Sequence, residues 1–276
     1  MAREKALHRK KRTHRGLKYL LMAFAAIVIG YVCIQFSPLK NLIGMDRNTP
    51  PYVLQNPEFQ KTLEAFADEH NLQMSDWPDE LLESAERNPE LEDFVLNYPL
   101  KKDELPEIDL SEYQGTDTVP LLLQWDERWG YTPYSGGPMG LTGCGPTCLS
   151  MVSIYLLDNP EYTPRYIAEF SKDNGYSVSG SGSAWALISE GGEKLGLDVE
   201  ELPLDENRIV QNLKEGNPII CIMGPGDFTT TGHFIVMTDY TEGKIKINDP
   251  FSKSRSEMLW DYEKIQDQIL NLWVCR

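Results

Sequence analysis

The sequence predicts an α+β protein in which a helical part precedes an antiparallel sheet. An apolar segment without helix breakers, from Thr147 to Leu157, follows a loop rich in glycine and proline and is typical of a buried helix. Further helical patterns run over 163–172, 183–195 and 205–216. Strand patterns lie near Val199 and at 218–223, 232–240, 244–248 and 271–274. Helices followed by an antiparallel sheet indicate the α+β class.

The chain begins with a basic tail, residues 1–18, and an apolar run, residues 19–36. The tail has eight Lys or Arg and one acidic residue, and the run has no charged residue. Its length approaches the ~20 residues that cross a bilayer, and the basic flank predicts a cytoplasmic N-terminus. A cleaved signal peptide is the alternative, but no small-x-small site follows closely, and Val32 before Cys33 disfavours a lipoprotein anchor. We expect an uncleaved single-pass anchor with the rest of the chain outside the cytoplasm.

A linker at 37–51 is followed by a small helical region at 52–112. Asn56 and Asn88 each precede a proline and an acidic residue, a code that opens helices, and a third helix begins near Asp76. One apolar face per helix suffices for a small cap but not for a large core of its own. We expect this region to pack on the following domain, to act as a spacer, or to bind a partner protein. Residues 118–276 are predicted to form one compact catalytic domain.

Cys144 stands at the joint between a loop and a helix. The loop, from Trp129 to Gly143, has five glycines and two prolines and is predicted to lack regular structure. A thiol in the first turn of a helix lies at the positive end of its dipole, where free N–H groups face a developing anion. Cys144 is therefore a candidate nucleophile. Cys148, one helical turn later, is expected to be an inert buried residue.

A catalytic thiol needs a base, and after residue 18 the sequence contains only His70 and His233. His70 ends an acidic helix, where a solvated surface residue is expected. His233 follows a glycine at the start of a core strand, so the sheet would hold its ring. A hairpin would then bring Asp249 alongside His233, where a carboxylate would fix one tautomer and stabilise the imidazolium. Asn248 stays open as an alternative partner.

Gln124, upstream of the thiol, is a candidate oxyanion donor together with the backbone N–H of Cys144. The order Gln124, Cys144, His233, Asp249, with GCGPT at the thiol, Gly-His-Phe at the histidine and Asn-Asp-Pro at the acid, resembles the papain-like, bacteriocin-processing cysteine peptidases (cysteine peptidase family 39). The resemblance covers about Thr118 onward. The long spacing between Gln124 and Cys144 looks like the stand-alone C39-like branch.

This resemblance implies a papain-like fold and a role for each candidate residue. Cys144 would be the nucleophile, His233 the general base, Asp249 its orienter and Gln124 an oxyanion-hole donor. We therefore expect a membrane-anchored, extracytoplasmic cysteine peptidase acting on a peptide or protein substrate. A thiol acyltransferase and a cell-wall amidase use similar parts, and an inactive peptide-binding module is an alternative from a different class.

Composition narrows the partners mostly by exclusion. The net charge of −16 argues against nucleic acid as a partner. Four cysteines beyond residue 36 are too few, and too embedded in strands and helices, to imply a disulfide framework; they are Cys144, Cys148, Cys221 and Cys275. No Cys/His cluster in the sequence has the spacing of a zinc site. The chemistry is therefore expected to need neither metal nor cofactor.

Overall fold

The computed structural model describes residues 52–276. The predicted basic tail, membrane anchor and linker lie outside these residues. Across 52–276, no helix combines the length and the apolar character needed to cross a bilayer.

The first part of the described chain is helical. Its three α-helices are α1 (Pro57–His70), α2 (Asp79–Arg87) and α3 (Glu92–Lys101). The side chain of Asn56 accepts hydrogen bonds from the first turn of α1, as predicted. Asn88 instead caps a 3-10 turn, Pro89–Leu91, and α3 begins only at Glu92. The predicted cap at Asn88 is therefore present, but the first helical turn after it is a 3-10 turn rather than an α-helical one.

Phe94 of α3 joins the helical region to the rest of the chain. Its ring stacks on Tyr131, with ring centroids 4.5 Å apart, and the Tyr131 hydroxyl donates to the Phe94 carbonyl at 2.9 Å. The ring also lies against Gly140, where an added Cβ would stand 2.4 Å from Phe94 Cζ. These contacts bury Phe94 to 2% exposure. The helical region and the segment before the thiol therefore share one apolar cluster.

A six-stranded antiparallel sheet dominates the second part of the described chain. Two short pairs precede it, β1 (Pro133–Tyr134) with β2 (Gly137–Pro138) and β3 (Ser177–Val178) with β4 (Gly182–Ser183). The strands of the large sheet are β5 (Val199–Glu201), β6 (Ile219–Met223), β7 (His233–Thr241), β8 (Lys244–Asn248), β9 (Leu259–Trp260) and β10 (Ile269–Cys275). They pair in the order β5-β10-β6-β7-β8-β9. The predicted mixture of helices with an antiparallel sheet is confirmed.

Helices cover both faces of this sheet. The α-helices after Lys101 are α4 (Met139–Thr142), α5 (Cys144–Leu157), α6 (Pro164–Asp173), α7 (Ala186–Leu195), α8 (Glu206–Lys214), α9 (Lys253–Ser256) and α10 (Tyr262–Ile265). One core lies between the sheet and α5, α6 and α7, and a second core lies on the α8 and α10 side. The central strand β6 is buried on both faces for this reason.

Two local predictions were wrong. The loop before Cys144 is partly regular, because Ser135 and Gly136 both adopt positive φ (53° and 96°), close the β1–β2 turn and lead into α4. The helix predicted from Ser183 begins at Ala186, because Gly182 and Ser183 pair with β3.

Candidate active site

Cys144 is the first residue of α5 and is half-buried. The first N–H groups of a helix have no partner within it, so they face whatever lies at its start. The N–H of Gly145 and that of Phe234 both reach the thiol. Gly145 has no room for a side chain, since an added Cβ would stand 2.6 Å from Ser183 Oγ. Cys148 is fully buried, as predicted.

His233 is the first residue of β7, and Asp249 directly follows β8. The two strands form a hairpin whose turn residues, Glu242 and Gly243, both have positive φ (54° and 80°). This geometry suits the right-handed twist of the strands and allows a two-residue turn. The hairpin returns the chain so that Asp249 lies beside His233, with ring Nε2 2.7 Å from Asp249 Oδ1.

The structure distinguishes the two side chains that could have contacted His233. Asp249 has no exposed surface and bonds the ring. Asn248 points elsewhere, and its amide donates to the carbonyls of Val119 (3.1 Å) and Pro120 (3.0 Å). Asp249 is therefore the partner of the ring, and Asn248 ties β8 to the segment that leads toward Gln124.

Electrostatics favour an ionised thiol. Burial alone would raise the pKa of Cys144, but a hydrogen bond from His233, its positive charge and the two N–H groups lower that pKa below its ordinary value. Burial alone would lower the pKa of His233, but the charge and hydrogen bond of Asp249, with the contact to Cys144, raise it to about 10. Since Nε2 is bonded to Asp249, Nδ1 is the ring nitrogen that remains for the thiol.

Gln124 is buried, with 1% exposure, between the two halves of the site. Its backbone N–H donates to the Pro250 carbonyl at 2.7 Å, and its side-chain Nε2 donates to the Gly140 carbonyl at 2.9 Å. An amide nitrogen carries two protons, so one N–H remains available. Within residues 52–276, Gln124 Oε1 has no hydrogen-bond partner. The structure places Gln124 against Gly140, shortly before Cys144, whereas its role as an oxyanion donor stays a prediction.

A cleft of about 1040 Å³ leads to the thiol. Cys144 lines it together with Tyr134 and Thr142. The helical region also lines this cleft, as do the glycine-rich turns at 136–137 and 180–182. His70, the other histidine in the described residues, is exposed on α1 and is not among the residues that line the cleft.

Sequence reasoning missed Arg255, which donates from Nε to Asp249 Oδ2 at 2.6 Å. Burial alone would raise the pKa of Asp249, but His233 and Arg255 lower it. Arg255 lies in α9, only six residues after Asp249, so a short turn begun by Pro250 and capped by Ser252 was the available signal. That pattern is common in surface loops and carries no chemistry of its own.

Comparison with known proteins adds the following. A family model described as the Peptidase_C39 like family matches residues 116–274. The peptidase domain of Streptococcus ComA, a bi-functional ABC transporter involved in a quorum sensing pathway, is 22% identical, with a TM-score of 0.39, over 48% of this chain and 89% of that one. A Bacillus anthracis protein described as a C39-like peptidase is 16% identical, with a TM-score of 0.40, over 58% and 95%. No curated protein sequence matches the chain.

Proposed function

The chain belongs to the Peptidase_C39 like family, and from this membership we propose that it is a cysteine peptidase that uses Cys144 as its nucleophile. One observation carries the proposal. The ring of His233 lowers the pKa of the Cys144 thiol at the start of α5, the buried carboxylate of Asp249 lies 2.7 Å from Nε2 of that ring, and Cys144 lines an open cleft. This is the nucleophile, base and orienter arrangement of thiol catalysis.

The proposed reaction has two stages. The Cys144 thiolate attacks the scissile carbonyl and forms a C–S bond, while the proton it gave up is held on Nδ1 of His233. That proton passes to the leaving amine as the C–N bond breaks. Water then attacks the thioester with His233 as base, forming a C–O bond and releasing the thiol. Asp249, bonded to Nε2, supports the imidazolium throughout.

The oxyanion of each tetrahedral intermediate needs donors. We assign this role to the backbone N–H of Cys144 and to the remaining amide proton of Gln124, because Gln124 is already bonded to Gly140 in the turn before the thiol. One such donor is typically worth roughly 3 kcal/mol of the barrier.

We also propose that residues 19–36 anchor the peptidase in a membrane with residues 52–276 outside the cytoplasm, since the run is uncharged and its flank is strongly basic. In cells that produce the full chain with an N-terminal tag, an added protease that does not cross membranes should degrade residues 52–276 and leave the tag protected. Recovery of the intact chain in the soluble fraction would contradict the anchor.

The pH dependence of Cys144 alkylation tests the peptidase proposal without a substrate. Iodoacetamide should modify Cys144 at pH values well below ~8.5, the pKa of a free thiol, and peptide mass spectrometry measures the modification. The reason is that the pKa of Cys144 is lowered, so the thiolate already exists at such pH values. The imidazolium exists below the raised pKa of His233, about 10. Peptide turnover needs both the thiolate and the imidazolium. With increasing pH it should therefore rise through the pKa of Cys144 and fall near the pKa of His233. Ordinary thiol behaviour of Cys144 would refute the proposal.

A further inference from the structure

The carboxylate of Asp249 is held on both of its oxygens. Oδ1 accepts from His233 Nε2 (2.7 Å) and from the Phe251 N–H (2.8 Å), and Oδ2 accepts from Arg255 Nε (2.6 Å). The side chain of Asp249 has no exposed surface. A carboxylate buried this completely needs each of its donors, since water cannot replace one that is lost. Bonds on opposite oxygens also prevent the carboxylate from rotating away from the ring.

We propose that Arg255 is a positioning residue of the active site, acting through Asp249, and that Glu90 of the helical region holds Arg255 in place. This inference rests on the proposed peptidase function. It makes the segment before the catalytic domain a working part of the site rather than a separate cap.

The turn that carries Arg255 is closed on itself. The N–H of Asp249 donates to Ser256 Oγ at 2.8 Å, and that hydroxyl donates to the Ser252 carbonyl at 2.8 Å. The N–H of Arg255 donates to Ser252 Oγ at 3.2 Å. The residues from 249 to 256 therefore move as one unit, and a shift of its far end displaces Asp249.

Glu90 anchors the far end of this unit. Its carboxylate accepts from the N–H groups of Lys253 (2.6 Å) and Ser254 (3.0 Å) and from the Ser252 hydroxyl (3.2 Å). The neighbouring Asn88 amide donates to the Phe251 carbonyl at 2.9 Å. Burial alone would raise the pKa of Glu90, but the hydrogen bonds from Ser254, Lys253 and Ser252 lower it. Glu90 is thus an anion at neutral pH, bonded to three donors across more than 160 residues of sequence.

Removal of Arg255 should change the fraction of Cys144 thiolate at low pH, and the direction of that change separates positioning of Asp249 from a simple charge effect. The titratable or charged groups that face Asp249 are His233 from β7, Arg255 from α9 and Cys148 from α5. If Arg255 were only a nearby cation, its removal would stabilise the imidazolium and leave more thiolate at low pH. If Arg255 positions Asp249, its removal frees the carboxylate, weakens the imidazolium and leaves less thiolate.

The test uses the full chain and iodoacetamide. The readout is the ratio of the Cys144 alkylation rate at pH 6 to that at pH 10. Arg255→Gln, which keeps a donor but no charge, should lower this ratio about tenfold or more, equivalent to about one pKa unit, and approach the value for Asp249→Asn. Arg255→Lys should lower it less. Glu90→Gln should lower it in the same direction, whereas Glu64→Gln, on the exposed face of α1, should leave it unchanged.

A double-mutant cycle shows whether Arg255 acts through Asp249. In the Asp249→Asn background, Arg255→Gln should cause no further drop, because the group it positions is already altered. An unchanged or raised ratio in a folded Arg255→Gln chain overturns the proposal, as does a full additional drop in the double variant. If Arg255→Gln does not fold, an unchanged ratio in Glu90→Gln overturns it instead. A wild-type ratio no higher than that of free cysteine refutes the peptidase function itself, so the two failures are distinguishable.

Discussion

We expect Cys144→Ala to abolish peptide cleavage by the full chain and to leave the fold intact. Alanine has no sulfur, so the variant cannot form the proposed C–S bond at the start of α5. Turnover should fall by about 10⁴-fold or more, to the low residual activity that substrate binding and the oxyanion donors supply. The measurement is the cleavage rate of the peptide that the unaltered chain cleaves fastest in an internally quenched library.

Cys148→Ala is the matched control, because Cys148 lies one turn further along the same helix and is fully buried. Its removal costs some packing, so the chain should be less stable while its turnover is retained. Retained turnover in a clean preparation of Cys144→Ala would rule out Cys144 as the nucleophile. Loss of turnover in Cys148→Ala without unfolding would show that the thiol chemistry has been assigned to the wrong residue.

His233→Ala removes the proposed proton carrier and the charge that lowers the pKa of Cys144. Turnover should fall roughly 10³-fold or more. The pKa of Cys144 should rise, because burial raises it and the hydrogen bond and charge of His233 no longer offset that effect. Alkylation at pH 6 should therefore slow markedly, and the same iodoacetamide assay measures it.

His70→Ala provides the comparison, since His70 is exposed at the end of α1 and its ring packs at a tilt against Phe66, with ring centroids 4.3 Å apart. It should leave both turnover and the alkylation profile unchanged. His233→Gln preserves more of the buried volume. If it also loses turnover, unfolding of the start of β7 is not the cause of the loss. If Cys144 alkylation in both His233 variants matches the wild-type profile, His233 is not the base.

The local code of the chain predicted where the candidate residues Cys144 and His233 lie in the fold. A glycine-rich loop before an apolar run placed Cys144 at a helix start, and the scarcity of histidines left His233 as the candidate. Short-range signals of this kind depend on neighbouring residues, so they can be recognised without knowledge of contacts between distant parts of the chain. The same holds for the caps at Asn56, Thr163 and Asp205, each of which accepts an N–H at the start of its helix.

Contacts between distant segments were harder to predict. The sequence left Asn248 and Asp249 open, and only the register of β8 against β7 sends Asn248 to Val119 and leaves Asp249 for the ring. The bond between Arg255 and Asp249 could not be predicted, because a single arginine in a turn is common and is usually exposed at the surface. Glu90 lies at the helix start that the sequence predicted, but the sequence did not show the bonds of its carboxylate to residues 252–254.

The sequence by itself determined the class of fold, the helix start that carries Cys144 and the hairpin that returns the chain to the neighbourhood of His233, because these follow from local periodicity, capping and turn chemistry. Only the tertiary structure decided which polar group each buried atom would meet. Burial makes every unpaired donor or acceptor costly, so Asp249 collects His233, Phe251 and Arg255, although the site they form with Glu90 spans separate stretches of sequence. Pairing of this kind depends on how packed elements meet, which no short stretch of sequence records.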